Sequence, residues 1–337
     1  MHMSDALLSV AVGTTMNVVS TGVIGYSVSK IKKYDFEENK IPMMGVMGAF
    51  VFAAQMINFT IPVTGSSGHI GGGILLAALL GPFPALITLS CVLLIQCLFF
   101  ADGGLLALGC NIFNIAILPC LVAYPFIYKN ILRKKLTRSR ITLAAIAAVV
   151  IGLQLGAFGV VIQTMLSGIT ELPFRAFVIM MQPIHLAIGL VEGVVTAAVL
   201  NYVLNNRRDI LEQALGQRST QKTSMKKVYI GFLVATLVIG GIFSWFASAN
   251  PDGLEWAIEK VAGEAEIGSA SELHETAQTL QNATAILPDY ALAEDVSSDG
   301  KLGTSLSGVV GGAITLACAM GFGAIIMLFK KRKGLKQ

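Results

Sequence analysis

Long apolar runs separated by short polar or glycine-containing breaks dominate the pattern of the 337-residue chain. Most runs approach 20 residues, the length at which a helix crosses roughly 30 Å of hydrocarbon. We therefore predict an all-α membrane helical bundle with nine spans. Their expected ranges are 6–29, 42–61, a short span from about 70 to the break at 81–84, 84–100, 104–127, 141–164, 176–204, 228–248 and 306–329.

The sequence Gly81-Pro82-Phe83-Pro84 divides the apolar run from 70 to 100. Proline has no backbone donor and disfavours helix at the residue before it, so two spans are expected here, the first of them short. A single crossing would also place the six basic residues of 128–140 on the side of the N-terminus. Both arguments favour the break.

The distribution of Lys and Arg fixes the expected orientation. With the N-terminus outside, the cytoplasmic segments contain 21 of the 24 basic residues, as the positive-inside rule requires. These segments are 30–40, 81–84, 128–140, 205–227 and 330–337. The C-terminus is then cytoplasmic.

A shift in composition at 205–227 divides the chain into a seven-span body (1–205), a cytoplasmic linker (206–227) and a two-span region (228–337). The outer segment 249–305 of that last region has eleven acidic and two basic residues. We expect a mostly solvated loop without a core, with an amphipathic helix around 254–263. His274 is expected to be a surface histidine, with a weak metal-collecting role as the alternative.

Composition supports a membrane protein and excludes some activities. Hydrophobic residues make up 54% of the chain and charged residues 13%, and all five cysteines lie in apolar runs without CxxC spacing. The sequence contains neither a GxxxxGK pattern followed by Ser or Thr nor HExxH. An enzyme is therefore not expected, and the chain is expected to bind no nucleotide of its own and no nucleic acid.

The start Met1-His2 offers three nitrogens in chelating order: the terminal amine, the amide of residue 2 and the imidazole. Amine and amide close a five-membered ring on a metal, and amide and imidazole close a six-membered one. His69, in the turn Thr64-Gly65-Ser66-Ser67-Gly68-His69, lies on the same outer side and could complete a four-nitrogen plane. Planar nitrogen ligation suits Ni(II) or Cu(II) better than Zn(II).

Three hydroxyl residues precede His69 in this turn, namely Thr64, Ser66 and Ser67. They are expected either to cap the helix that begins near Ile70 or to hold the second ring nitrogen of His69.

Gln55 and Asn58 lie three residues apart near the outer end of the second span and share a helical face. They are expected either to join spans or to support the metal ligands. Asp102 is either a solvent-facing turn residue or a hydrogen-bond partner of a ligand histidine. For Asn111 and Asn114, with the same spacing, packing is favoured.

Two further patterns have open explanations. His185 and Glu192 share a helix face about 10 Å apart, so a clasp between helices is expected rather than one ligand set with His2. Gly45, Ala49 and Ala53 form a stripe of small residues on the second span. The stripe serves either packing within the chain or docking of a partner.

Several of these stretches together resemble the CbiM/NikM family. The likeness covers about 1–205, and the motifs are Met1-His2, 49–59, 65–69, 100–105, 183–189 and 192–193. The start Met1-His2-Met3-Ser4-Asp5-Ala6 departs from the family, whose members often have Pro near position 4 and Gly near position 6. The region 228–337, with Pro251-Asp252-Gly253-Leu254-Glu255, resembles the PDGLE domain, a counterpart of the small companion subunit NikN/CbiN.

The resemblance implies a substrate-binding membrane component (S component) of an energy-coupling-factor importer in a prokaryotic cell membrane. It implies that Ni(II) or Co(II) is the transported ion, held by the Met1 amine, the His2 amide and imidazole, and the His69 imidazole. It also implies two cytoplasmic ABC-type ATPases and a transmembrane coupling (T) subunit. The T subunit is then expected to dock on Gly45, Ala49 and Ala53.

Nickel is favoured over cobalt because a planar nitrogen set with an ionised amide suits it, and because the fused C-terminal region resembles the nickel branch. The alternatives are a Co(II)-specific component for cobalamin synthesis and a membrane scaffold or channel whose histidines are structural.

Overall fold

The computed structural model describes residues 1–33, 40–170, 172–216, 224–263, 271–292 and 301–334. Within these ranges the chain is helical except for turns, connecting segments and one two-stranded hairpin. The helices are α1 Val10–Lys33, α2 Lys40–Gln55, α3 Gly73–Leu80, α4 Pro82–Phe100, α5 Leu108–Asn111, α6 Lys129–Leu132, α7 Arg138–Ser167, α8 Phe174–Asn206, α9 Arg208–Ala214, α10 Lys226–Gly241, α11 Gly253–Ala262, α12 Glu272–Thr284 and α13 Lys301–Gly334.

Within the described ranges, five helical segments are long and apolar enough to cross a membrane, so the chain is a multi-pass membrane protein. They are Pro82–Phe100, Leu108–Leu132, Arg138–Ser167, Phe174–Asn206 and Lys301–Lys330. The other four predicted spans correspond to α1, the shorter apolar helix α2, and α3 and α10. With 8 residues, α3 is about 12 Å long and cannot cross by itself. The nine-span count and the orientation of the termini stay predictions.

The break in the run 70–100 lies where the prolines predict it. Helix α3 ends at Leu80 and α4 begins at Pro82, with Gly81 between them at φ +87°. A residue with a Cβ rarely adopts this φ, and Pro82 fits the first helical position, where a missing N–H removes no hydrogen bond.

The predicted span 104–127 is one continuous helix, Leu108–Leu132, with an unexpected internal geometry. Its central part, Ile112–Tyr128, is π-helical and contains Pro119 and Pro125. Proline lacks the N–H that an α-helix needs, and a wider turn is one way to accommodate that loss.

The stripe of small residues on α2 packs within the chain. A Cβ on Gly45 would collide with the side chain of Met320 on α13, and Ala49 and Ala53 lie against Gly312 and Gly240. The prediction that these three residues dock a partner is therefore wrong in this structure, because α10 and α13 of the two-span region occupy that face.

The outer segment is more ordered than its composition predicts. The amphipathic helix expected around 254–263 is α11, and it buries Leu254 and Ile258 against the body. Helix α12 was not expected, and the prediction of a segment without a core is wrong for these parts. The stretches 264–270 and 293–300 of the predicted loop lie outside the described residues.

Three predicted cytoplasmic segments also contain residues outside the described ranges. These residues are 34–39, 217–223 and 335–337. The described part of the linker contains α9, and Arg207, directly before that helix, forms an ion pair with Asp209 at 2.7 Å.

Candidate metal centre

The N-terminal segment is buried between the body and the outer segment. Met1 is 7% exposed and Met3 is fully buried. Asn111 fixes this segment from both sides, because its Oδ1 accepts from Met3 N at 2.7 Å and its Nδ2 donates to Met3 O at 3.1 Å. Gly104 N also donates to Met3 O at 2.9 Å. The chain terminus therefore has a defined position.

The terminal amine and His69 meet, although 68 residues separate them in the sequence. The Met1 nitrogen lies 3.4 Å from His69 Nε2. The other ring nitrogen, Nδ1, donates to Ile70 O at 3.1 Å, which fixes the tautomer and leaves the lone pair of Nε2 directed at the amine. Burial, and then the charge of the amine, lower the pKa of His69 to about 3, so the ring is neutral at pH 7.

The ring of His2 stacks on that of His69, with centroids 5.1 Å apart and 8° between the planes. His2 Nδ1 donates to Asp102 Oδ1 at 3.0 Å, and its Nε2 is buried with no hydrogen-bond partner among the described residues. Asp102 Oδ2 accepts from Tyr290 Oη at 2.6 Å. Asp102 was predicted to be either a solvent-facing turn residue or a hydrogen-bond partner of a ligand histidine. The structure shows a hydrogen bond to His2.

Burial alone would raise the pKa of Asp102, but the charge and hydrogen bond of His2 outweigh burial and hold this pKa below its usual range. The carboxylate is therefore ionised and acts as an acceptor for the imidazole N–H.

Asp252 at the start of α11 is the acidic residue that the sequence analysis missed. Its Oδ2 forms an ion pair with the Met1 amine. The ammonium lowers the pKa of Asp252 below its usual range despite burial, which acts in the opposite direction. The available signal was the pattern Asp252-x-x-Glu255, a capping box just after a span that ends on the side of the N-terminus.

The hydroxyl residues before His69 have neither of the roles predicted for them. They belong to a hairpin of β1 Phe59–Ile61 and β2 Ser66–Gly68, in which the Thr64 hydroxyl donates to Ile61 O. Ser66 Oγ donates to Ser67 O, and Ser67 Oγ donates to Asn250 O. Helix α3 begins after Gly72, and no side chain caps its N-terminus. His69 Nδ1 donates to the backbone carbonyl of Ile70, so no hydroxyl group holds this ring nitrogen.

Gln55 joins elements near the site. Its Nε2 donates to Gly71 O at 2.9 Å, and its Oε1 accepts from Gln96 Nε2 at 2.9 Å. The backbone carbonyl oxygen of Asn58 accepts a hydrogen bond from Ser248 N. Gln55 and Asn58 both line the cavity that His2 and His69 also line. In this structure Gln55 therefore joins α2 to α4 and to the segment before α3, and Gln55 and Asn58 lie at the same cavity as the histidines.

Two cavities adjoin the histidines. The outer one, about 950 Å³, is lined by residues of the body and of the two-span region, among them His2, His69, Asp102, Asp252 and Glu255. The inner one, about 20 Å³, holds little more than a water molecule and is lined by Met1, His69 and His185, among others. His69 lines both cavities, whereas His2 lines only the outer one.

His185 and Glu192 differ in their roles. Glu192 Oε1 accepts from Gly72 N at 2.9 Å, and this contact joins α8 to the segment before α3. His185 Nδ1 instead donates to Met181 O of its own helix at 2.8 Å, so the predicted clasp is wrong for this residue. His185 is also nearer to the candidate site than expected, since it lines the inner cavity with Met1.

The prediction of a surface position for His274 is wrong. The residue is 3% exposed, and its Nε2 donates to Leu8 O at 2.8 Å, while Ser271 Oγ donates to its Nδ1 at 2.6 Å. It therefore ties α12 to the end of the N-terminal segment.

Among the described residues, no group of three or more His, Cys, Asp or Glu side chains is arranged to hold a metal ion. A metal site at this position would depend on backbone groups, namely the terminal amine and the amide of residue 2, together with the two imidazoles. These are borderline nitrogen donors of the kind that Ni(II), Cu(II) and Co(II) accept.

Comparison with known proteins gives two family matches. Residues 2–210 match the model for the cobalt uptake substrate-specific transmembrane region, CbiM, and residues 226–328 match the PDGLE domain.

Similar proteins include a putative fused nickel transport protein NikMN of Archaeoglobus fulgidus, 32% identical over 94% of this chain and 96% of that protein. The fused nickel transport protein NikMN of Rhodobacter capsulatus is 27% identical over 99% of this chain and 100% of its own length. A crystal structure of a truncated transition metal transporter matches with a TM-score of 0.54 and 32% identity, covering 61% of this chain and 99% of that one.

Proposed function

The chain belongs to the CbiM family of cobalt uptake transmembrane proteins and carries a PDGLE domain; on this premise we propose that it captures Ni(II) from outside the cell. It is a nickel or cobalt transport component and not an enzyme. In the proposal, the ion is held in a plane by the Met1 amine, the His2 amide and imidazole, and the His69 imidazole.

The contact between the Met1 nitrogen and His69 Nε2 is the observation that carries the proposal. With metal–nitrogen bonds of about 2 Å, neighbouring corners of a square plane lie about 2.8 Å apart. The observed 3.4 Å is therefore within a small adjustment of two adjacent ligands. The neutral state of His69 and its fixed tautomer also suit a ligand, since only a deprotonated ring nitrogen binds a metal.

His2 needs a larger change than His69. The six-membered chelate ring uses Nδ1, which donates to Asp102 in this structure. Binding therefore requires Nδ1 to lose its proton and its contact with Asp102.

Nickel is proposed as the ion because a plane of four nitrogens with an ionised amide favours it over cobalt. The relatives that extend over nearly the whole chain are named nickel transport proteins, which agrees with this choice. The second candidate is Co(II), since the matching family model and several relatives of the body alone are named for cobalt.

The proposal places both the N-terminus and the outer segment outside a prokaryotic cell membrane, and the C-terminus in the cytoplasm, after nine crossings. The distribution of Lys and Arg supports this orientation. So does the contact of Asp252 and His274 with the N-terminal segment, because residues that touch must lie on one side.

Uphill import needs an energy source, and the chain contains no P-loop sequence of its own. We propose that two ABC-type ATPases and a transmembrane coupling subunit supply it, as in an energy-coupling-factor importer. The coupling subunit must then dock on a face other than the stripe of α2, which α13 covers.

Three glycines added before Met1 test the ligand set. A single added residue would not, because Xaa-Met-His offers an amine, two amides and an imidazole, which form a planar four-nitrogen set by themselves. With three glycines the Met1 nitrogen becomes a peptide amide and the new amine is too far from His2 to join its chelate rings, so we expect loss of high-affinity Ni(II) binding in equilibrium dialysis. The same three glycines added after Gln337 are the matched control and should leave binding unchanged. Equal affinity of both extended chains would contradict the amine ligand, and no saturable binding by the unextended chain would favour a scaffold with structural histidines.

A further inference from the structure

The buried terminal amine pairs with a carboxylate that belongs to the C-terminal domain and not to the body. Met1 N and Asp252 Oδ2 form this ion pair, and the two side chains are 6% and 15% exposed. All the proposed metal ligands lie within the first 69 residues, so Asp252 reaches the site from another part of the sequence.

The direction of the Asp252 carboxylate is set by the helix that it caps. Oδ1 accepts from Leu254 N at 2.7 Å and from Glu255 N at 3.0 Å, and Glu255 Oε2 accepts from Asp252 N at 2.9 Å. This capping box occupies Oδ1 and leaves Oδ2 for the amine.

The segment that carries Asp252 is attached to the hairpin that precedes His69. Ser67 N donates to Pro251 O at 2.8 Å, and Ser67 Oγ donates to Asn250 O at 2.8 Å. Trp256 Nε1 donates to Thr64 O at 3.0 Å. The carboxylate and the imidazole are thus held by one hairpin, and the amine lies between them.

We infer that Asp252 is the positioning residue of the metal site, which holds the terminal amine beside His69 before the ion arrives and accepts an N–H from that amine after the ion has bound. The PDGLE domain thereby completes a capture site whose ligands lie in the body. This inference rests on the proposed function.

The charges at the site agree with both roles. Before binding, the carboxylate faces one positive charge, that of the ammonium group. After binding, Ni(II) with one ionised amide also has a net charge of one, so the same carboxylate neutralises the site in both states. A coordinated amine keeps two N–H groups, which are suitable donors to Oδ2.

Asp252→Asn in the full chain tests the inference, because Asn caps a helix about as well as Asp and removes only the charge. We expect the dissociation constant for Ni(II) to rise about 10- to 100-fold, the usual cost of losing a partner that orients a ligand. The absorption bands of the nickel-loaded variant should not move, since Asp252 is not a ligand. Asp252→Glu, which retains the charge, should bind more tightly than Asp252→Asn.

Glu272→Gln is the matched control, since it removes one negative charge from an exposed position of the same outer segment. Its affinity should equal that of the unsubstituted chain. Unchanged binding by Asp252→Asn, equal affinities of the Asn and Glu variants, or a shift of the absorption bands would each overturn the inference. The proposed function fails separately, if the unsubstituted chain itself binds no Ni(II).

Discussion

At the residue scale, each of two carboxylates holds one nitrogen of the proposed ligand set. Asp102 accepts from His2 Nδ1, and Asp252 pairs with the Met1 amine, while His69 stays neutral between them. Each carboxylate therefore holds one of these nitrogens in a defined position. In the proposal, loading exchanges protons for the ion and also requires His2 Nδ1 to leave Asp102.

Asp102→Asn tests the carboxylate on the body side. The variant keeps a hydrogen-bond acceptor for His2 but loses the charge, and a neutral hydrogen bond is about 1 kcal/mol weaker than a charged one. Because the ion must displace Asp102 from His2 Nδ1, Ni(II) affinity should rise about 5-fold. Isothermal titration with Ni(II) measures the change, with Glu272→Gln as the control for charge alone. Affinity equal to or below that of the control would show that Asp102 does not compete with the ion for His2 Nδ1.

Sequence reasoning could find the histidine pair and Asp102, but it could not find Asp252. His2 and His69 follow from the chelating start and from the charge rule that places both outside. Asp252 could not be found in this way, because its contact with Met1 joins residues 251 positions apart and leaves no periodic signal. His274 has acidic neighbours at 272 and 275, yet it faces the N-terminal segment while both glutamates face outward.

At the element scale, α2 is the helix around which the two-span region packs. The small residues of its stripe let α10 and α13 approach closely, as Gly45 against Met320 and Ala53 against Gly240 show. The sequence left packing and partner docking as equal alternatives. Only the position of α13 decides between packing and docking. That position depends on contacts between residues more than 250 positions apart in the sequence, such as Gly45 and Met320.

Gly45→Leu tests this packing in the isolated chain. The added side chain would meet Met320 and the carbonyl of Leu316, and overpacking of this kind costs about 1–3 kcal/mol. We therefore expect a lower melting temperature in detergent. Gly231→Leu is the control, since a Cβ at Gly231 on α10 meets nothing within 4 Å.

If the stripe faced a partner, Gly45→Leu would leave the melting temperature of the isolated chain unchanged and would weaken only assembly with the coupling subunit. This outcome would contradict packing against α13.

Local sequence signals predicted other helix boundaries well. The glycine and prolines at 81–84 mark the end of α3 and the start of α4, and the amphipathic helix expected around 254–263 is α11. The π-helical geometry of Ile112–Tyr128 and the short hairpin before His69 were not predicted. Apolar runs fix the length of a span but not its internal hydrogen bonding, and three-residue strands are too short for a period of two to be recognised.

At the scale of the whole molecule, distant parts of the chain meet over one site. The N-terminal segment contributes the amine and His2, the hairpin leads to His69, and the outer segment contributes Asp252. His274 and Asp252 hold the N-terminal segment at both ends, through Leu8 O and the Met1 amine. The fused domain therefore covers the site as well as packing against α2.

X-ray absorption at the nickel edge of the Ni(II)-loaded full chain tests the central claim most directly. The account predicts four nitrogen neighbours in a square plane, without axial ligands, and loss of this spectrum when three glycines are added before Met1. A six-coordinate spectrum with oxygen neighbours, or the planar spectrum retained in the extended chain, would contradict the claim that the first residue and His69 share one ion.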